Sequence, residues 1–211
     1  MDANESKRTG TTIVALSCAD GVVIGSEKRA TVGTLIAHKV TKKIFKIDDH
    51  IALSTAGLVG DVQALARLLK AEAELYQLRC KVPMPLKGAA TLMGNILNQT
   101  KYMPYYVQLI LAGLDPEGEH VYALDAAGGA IEDKYTTGGS GSPYVFGVLE
   151  DHYVDGMSVD DGVDLTIRAI SAAMKRDSAS GDGIDIATIT KDGYKAILQK
   201  EIEERKGRLN L

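Results

Sequence analysis

One position in this 211-residue chain could supply a nucleophile and its base together. The junction Gly10-Thr11 separates a polar leader, MDANESKRTG, from the first apolar stretch, Thr12–Cys18 (TIVALSC). If the leader were removed, Thr11 would carry a hydroxyl nucleophile and a free α-amine on one residue. An α-amine titrates at about 7.7–8.0, which suits a general base at neutral pH far better than an ordinary lysine does. Threonine paired with its own terminal amine is a recognised way of activating a hydroxyl. Glycine before it leaves the scissile carbonyl sterically open. From spacing alone, an ordinary threonine opening a strand is the default reading.

Other constellations are poorer. His38, His50, His120 and His152 stand alone, none at a metal-ligand spacing, and read as surface or loop histidines. The window Gly138–Ser142 approaches a nucleophile elbow but ends in serine where that motif needs glycine. No Lys-Ser/Thr follows it, so a phosphate-binding Walker loop is excluded. Cys18 lies in an apolar run and reads as a buried, inert thiol. Neither a metal nor a cofactor is expected.

The elements that must position Thr11 follow from pattern. Thr12–Cys18 and Val22–Ser26, joined by Ala19-Asp20-Gly21, read as a hairpin. Short strands are expected at Thr34–Ala37, Ile44–Ile47 and Ile51–Thr55. From Leu58 to Leu78 the period becomes helical, and after Pro83 and Pro85 a second helix carries Leu86, Ala90, Met93, Ile96 and Leu97 on one face. Strands return at Val107–Leu114, His120–Leu124 and Ala130–Tyr135. Helices follow from near Pro143 and from Ser158, where S-V-D-D offers a serine cap with Asp161 in the first turn. A hairpin, Ile184–Thr190 with Tyr194–Leu198, precedes a charged terminal helix. Blocks of strands alternating with helix pairs imply packed sheets covered by helices within one domain.

Composition narrows the classes. Lys plus Arg total 24 against 28 Asp plus Glu, for a net charge of −4, with no polybasic run, so a general nucleic-acid binder is disfavoured. Two cysteines make no disulfide framework and point to a reducing compartment, the cytoplasm. No apolar run approaches the roughly 20 residues that span a bilayer, and the leader has no signal-peptide core.

Several short motifs occur together and in order: G-T-T-I-V at the junction, S-E-K-R at Ser26–Arg29, H-K-V-T-K-K-I at His38–Ile44 and S-T-A-G-L-V-G-D at Ser54–Asp61. The second half adds K-Y-M-P-Y at Lys101–Tyr105, G-S-G-S-P at Gly139–Pro143 and R-D-S-A-S-G-D-G-I-D at Arg176–Asp185. Over nearly the whole chain this set resembles the proteasome β subunits, most of all the archaeal-type catalytic ones. The resemblance implies an α+β fold, a four-layer αββα sandwich of the N-terminal-nucleophile hydrolase type. It implies a propeptide, residues 1–10, removed by self-cleavage, and a catalytic domain, residues 11–211. By motif, Thr11 is the nucleophile, Lys43 with Glu27 assists its deprotonation, and Arg29 supports the acid. Gly57 offers its N–H to the oxyanion; Ser140, Asp177 and Ser180 hold the Thr11 amine and relay protons. An acid at a helix C-terminus, as at Asp177, is electrostatically awkward unless it has a partner. Ile13 replaces the commoner third threonine and is expected to pack near the site without a chemical role.

The same resemblance places Ala30, Thr31, Thr41, Phe45, Thr55, Val59 and Gln63 around the side chain preceding the cleaved bond. It implies a threonine endopeptidase acting on unfolded proteins within stacked heptameric rings. Identical β subunits and α subunits form those rings, served by an ATPase ring. The alternatives are a non-catalytic ring-building β-type subunit, which would typically lack the threonine or the lysine, and a free-standing amidohydrolase of the same fold.

Overall fold

The computed structural model describes residues 10–211. Apolar residues fill both faces of the central strands, and that decides the architecture. In β1 (Ile13–Cys18), Val14, Leu16 and Cys18 belong to one core cluster while Ile13 and Ala15 belong to another. Side chains alternate along a strand, so a strand apolar on both faces must be covered on both.

β1 pairs antiparallel with β2 (Gly21–Glu27), and β2 with β11 (Ile184–Thr190). β10 (Tyr135–Gly138) and β12 (Gly193–Ala196) flank them, giving the order β10-β1-β2-β11-β12. The second sheet runs β5 (Ile44–Asp48), β6 (Ile51–Gly57), β7 (Val107–Asp115), β8 (Gly118–Leu124) and β9 (Ala130–Glu132), each antiparallel to the next. A small hairpin, β3 (Ala30–Val32) with β4 (Leu35–His38), stands apart.

Three cores separate four layers. Ile13, Ile24, Ala52, Ile110, Ala112 and Ile189 pack between the sheets. On the outer face of the second sheet, α1 (Val59–Cys80) and α2 (Leu86–Gln99) cover Ile51, Leu53, Leu109 and Leu111. On the outer face of the first, α3 (Ser142–His152) and α4 (Val159–Arg176) cover Val14, Leu16 and Val23. The helix α5 (Gln199–Leu209) contributes Ile202 to that core. The layers are therefore α, β, β, α, as expected. Ser158 caps α4, its hydroxyl accepting from the Asp161 N–H at 3.1 Å. Cys18 is buried, and its thiol is pushed up to about 12, by desolvation first and by Asp20 second, which keeps it a protonated, unreactive thiol.

Two expectations need correction. The run Ala130–Tyr135 is not one strand. β9 ends the second sheet, and Asp133-Lys134 crosses to β10 in the first. The Asp133 N–H donates to the Val121 carbonyl of one sheet at 3.0 Å, and the Lys134 carbonyl accepts from Ser17 N–H of the other at 2.7 Å. The first hairpin strand begins at Ile13 rather than Thr12: the Thr12 carbonyl still accepts from the Glu27 N–H of β2, but the N–H groups of Thr11 and Thr12 turn to the side chains of Ser140 and Glu27.

Candidate active site

β1 and β2 deliver the two ends of the site to the same edge of the sandwich. Ile13 pairs with Ser26, so the residues just outside that pair, Thr12 and Glu27, face one another. The Glu27 N–H donates to the Thr12 carbonyl at 3.2 Å, and the Thr12 N–H donates to Glu27 Oε1 at 3.2 Å. Glu27 is fully buried. A carboxylate there is tolerable only if its oxygens are satisfied. Oε2 accepts from the Arg29 N–H at 2.6 Å and the Gly181 N–H at 3.1 Å, while Oε1 also takes the Lys43 ammonium.

Lys43 comes from the segment before β5 and is buried. Its Nζ donates to Thr11 Oγ1 at 2.7 Å, to Glu27 and to the Arg29 carbonyl at 2.5 Å. Three acceptors match the three protons of an ammonium. Burial pulls the Lys43 pKa below the ordinary lysine range, and Glu27 opposes that shift without cancelling it. The result is a cation held against the Thr11 hydroxyl in a water-poor site, where it favours the alkoxide over the alcohol.

The nitrogen of Thr11 is held by a second network. The Thr11 N–H donates to Ser140 Oγ at 3.1 Å, and Ser140 Oγ donates to Asp177 Oδ2 at 2.7 Å. Ser180 Oγ donates to the same carboxylate oxygen at 2.6 Å. Asp177 is the C-cap of α4, and these hydroxyls, with the Ala179 N–H on Oδ1 at 3.1 Å, offset its unfavourable place at the helix end. Gly139, at φ +88°, lets the loop press on Thr11; a Cβ there would lie 2.1 Å from the Thr11 carbonyl oxygen.

Gly57 ends β6. Leu58 N–H donates to the Tyr106 carbonyl at 2.9 Å, whereas Thr55 N–H donates to the Lys43 carbonyl at 3.0 Å on the opposite edge. N–H groups alternate along a strand, so Gly57 N–H points with that of Thr55, past the start of β5 and toward the segment that carries Lys43. That is the side an oxyanion donor must face. The positive φ of +130° there, with Tyr106 O only 2.0 Å from where a Cβ would stand, admits only glycine.

All seven candidate catalytic residues thus lie at one edge. The pocket residues are more dispersed. Thr31 is buried, and its hydroxyl accepts from the Gly10 N–H at 3.1 Å. Thr55 is buried with its hydroxyl on the Lys43 carbonyl at 3.2 Å, while Ala30 and Thr41 are half-buried. Val59 and Gln63 lie one turn apart on the exposed start of α1. Phe45 and Gln63 share an open depression of about 760 Å³ whose lining carries charges of both signs, Lys42, Lys46, Arg67 and Lys70 against Asp48, Asp49 and Glu74; the other five do not line it. A second cleft, about 560 Å³, adjoins the site through Gly57 and Ser140 and is walled by Tyr105, Tyr106 and Gln108.

Arg29 departs from its expected role. Its guanidinium pairs with Asp182 at 2.7 Å and donates to the Ser178 carbonyl at 2.8 Å, so it ties down the loop bearing Ser180. Only its backbone N–H supports Glu27. Ile13 packs between the sheets, away from any chemical role. The sequence reading gave no part to the Gly181 N–H, to the Thr12 side chain, or to Gln108, whose Oε1 accepts from Gly139 N–H at 2.7 Å. The glycines of G-G-S-G and S-G-D-G were the available signal, since close backbone approach is what they permit.

Two antiparallel sheets between helix layers, with a threonine at the sheet edge, make the architecture of the N-terminal-nucleophile hydrolases. The chain belongs to the proteasome subunit family, whose pattern it matches over residues 7–189. It is 53% identical over 209 residues to the proteasome subunit beta of Thermoplasma acidophilum, covering 99% of each chain. It is 52% identical to that of Archaeoglobus profundus, over 92% of this chain and 91% of the relative. With that of Methanothermobacter thermautotrophicus the identity is 50%, over 95% and 96%. Among the described residues no helix is long and apolar enough to cross a membrane.

Proposed function

We propose that this proteasome β subunit is catalytic: a threonine endopeptidase that cuts unfolded proteins inside a chamber of stacked heptameric rings (α7β7β7α7) in the cytoplasm. Identical β subunits build the inner rings, α subunits the outer ones, and an ATPase ring feeds substrate through the α rings. The observation that carries this reading is the Lys43 ammonium 2.7 Å from Thr11 Oγ1 within a buried pair with Glu27. A subunit that only built the ring would gain nothing from an ion pair aimed at a threonine hydroxyl, since burying one is costly.

Once residues 1–10 are removed, the Thr11 nitrogen is an amine held by Ser140. Oγ1 attacks the substrate carbonyl as its proton passes to that amine, and the Gly57 N–H receives the oxyanion. Collapse breaks the C–N bond; the amine returns its proton to the leaving nitrogen, and the acyl group stays on Oγ1 as an ester. Water then attacks the ester with the same amine as base, freeing the acid and restoring the hydroxyl. A peptide carrying a carbonyl-reactive electrophile tests this: intact mass and fragmentation are expected to place one label on Thr11. A label on Lys43 or Cys80 instead, with activity lost, would reject the assignment.

Specificity is assigned by motif to Ala30, Thr31, Thr41, Phe45, Thr55, Val59 and Gln63, none of them charged, of which Phe45 and Gln63 share the open depression. An unpaired charge buried among them would be expensive. Cleavage after Leu, Phe or Tyr is expected to exceed cleavage after Arg or Glu by about tenfold or more in kcat/KM. A fluorogenic panel in which the Arg substrate is fastest rejects this lining.

A further inference from the structure

Thr12 sits beside the nucleophile yet outside the chemistry described so far. It is fully buried. Its Oγ1 lies 2.7 Å from Ser180 Oγ. Gly141 presses directly upon it: a Cβ there would stand 1.9 Å from Thr12 Oγ1. A polar side chain locked at that depth is held for its hydrogen bond and not for packing alone.

The direction of that bond is fixed by counting protons. Asp177 Oδ2 only accepts, and Ser180 gives it its single proton at 2.6 Å. Ser180 must then accept from Thr12, so the Thr12 hydroxyl donates. The chain runs Thr12 to Ser180 to Asp177, with Ser140 donating to the same Asp177 oxygen at 2.7 Å. Ser140, its own proton given to Asp177, is left as an acceptor for the Thr11 nitrogen at 3.1 Å. That orientation keeps the amine's protons on Ser140 and its lone pair free for the Thr11 hydroxyl.

We propose that Thr12 is a positioning residue that sets the basicity of the Thr11 amine through Ser180 and Asp177. Donation from Thr12 polarises the Ser180 hydroxyl and strengthens its bond to Asp177, since linked hydrogen bonds reinforce one another. Asp177 then holds less free negative charge near the amine. Without Thr12's proton, Asp177 is more strongly negative, the protonated amine is favoured, and the base is blocked at neutral pH. The inference rests on the Thr11 amine being the base, as proposed above.

The test uses assembled particles carrying Thr12→Val, which keeps the shape and removes the hydroxyl. The expected result is normal assembly, kcat at pH 7 lower by about threefold, the most that a half-unit rise in the base's pKa can give, and an unchanged KM. The acid limb of the pH–rate profile should move to higher pH by about half a unit, and Thr12→Ser should restore both rate and profile. In a Ser180→Ala background, Thr12→Val should add little, because the chain is already cut. Wild-type kcat and profile in Thr12→Val overturn the proposal, as does a rate loss without a profile shift. Should Thr12→Val fail to assemble, Thr12→Ala is measured in the same way. Failure of Thr12→Ser to restore function would assign the position to packing and overturn the proposal. Thr11→Ala separates this from the reading beneath it: activity surviving in Thr11→Ala defeats the catalytic assignment itself, whereas a dead Thr11→Ala beside an unaltered Thr12→Val defeats only the role of Thr12.

Discussion

Lys43→Ala is expected to yield assembled particles with peptidase activity reduced by about 10³-fold or more, the range that positioned proton-transfer and charge-stabilising groups supply. The side chain ends 2.7 Å from Thr11 Oγ1 and makes no other contact with the reacting atoms, so its loss raises the energy of the alkoxide without moving the threonine. Removing one member of a buried ion pair costs about 3–5 kcal/mol when the other is left alone. Here Glu27 keeps the N–H groups of Thr12, Arg29 and Gly181, which places the penalty at the lower end of that range. β2 is laddered on both sides in one sheet and β5 pairs with β6 in the other, so neither strand is held by the ion pair. Thermal unfolding and peptide hydrolysis on the same preparation separate the two effects. A soluble, assembled Lys43→Ala particle at near wild-type rate would remove lysine from the mechanism.

The route from sequence to this site was partly legible. Strand boundaries near Thr11, Glu27 and Gly57 could be read because apolar, β-branched runs stop there, and catalytic groups sit where the ladders end. The helix pairs could be read because α1 changes to a 3.6 period at Val62, Leu65, Leu69 and Ala73. The acid at the end of α4 could be read as anomalous from the helix dipole alone. What could not be read was sheet membership. Asp133-Lys134 has no glycine or proline to mark a break, and the runs on either side are alike in pattern. Only the pairing partners, Val121 in one sheet and Ser17 in the other, divide them. Local pattern is silent about such partners because they lie far off in sequence.

The same limit explains the site residues. Arg29 is expected to support Glu27, and it does so only through its backbone N–H: β2 ends at Glu27, and beyond that end the Arg29 guanidinium turns to Asp182. Thr31 belongs to the pocket residues by motif, and its hydroxyl accepts from the Gly10 N–H. That contact belongs to the leader side of the junction, so Thr31 bears on processing as well as on specificity.

Processing is where the largest effect of all is expected: an assembled particle should begin at Thr11, unassembled chains should keep the leader, and Thr11→Ala should keep it after assembly with no peptidase activity. While Gly10 is attached the Thr11 nitrogen is an amide, which cannot act as a base. That N–H already donates to Ser140 Oγ at 3.1 Å, in the place proposed for the later amine, so cleavage requires no relocation of the nucleophile. Thr11 Oγ1, beside Lys43, attacks the Gly10 carbonyl one residue back, with water taking its proton. The C–N bond breaks, the nitrogen gains a proton, and Gly10 is left as an ester on Oγ1. Water hydrolyses that ester, releasing the leader as an acid and exposing the amine that later turns over substrate. Met1–Thr9 lie outside the described residues, but Gly10 is seated: a Cβ on it would stand 1.9 Å from the Ala179 Cβ and 2.9 Å from Ser140 Oγ. Gly10→Val is therefore expected to slow leader removal by about 10² or more, since displacing the scissile carbonyl by about 1 Å costs on that order. Particles of Gly10→Val that do mature should be fully active, because Gly10 is gone from them. Thr11→Ser keeps the hydroxyl and should retain both reactions at reduced rate. N-terminal sequencing of assembled wild-type particles decides the matter: full peptidase activity from chains that still start at Met1 would mean that the base is not the Thr11 amine, and Ser140 and Asp177 would lose the role assigned to them here.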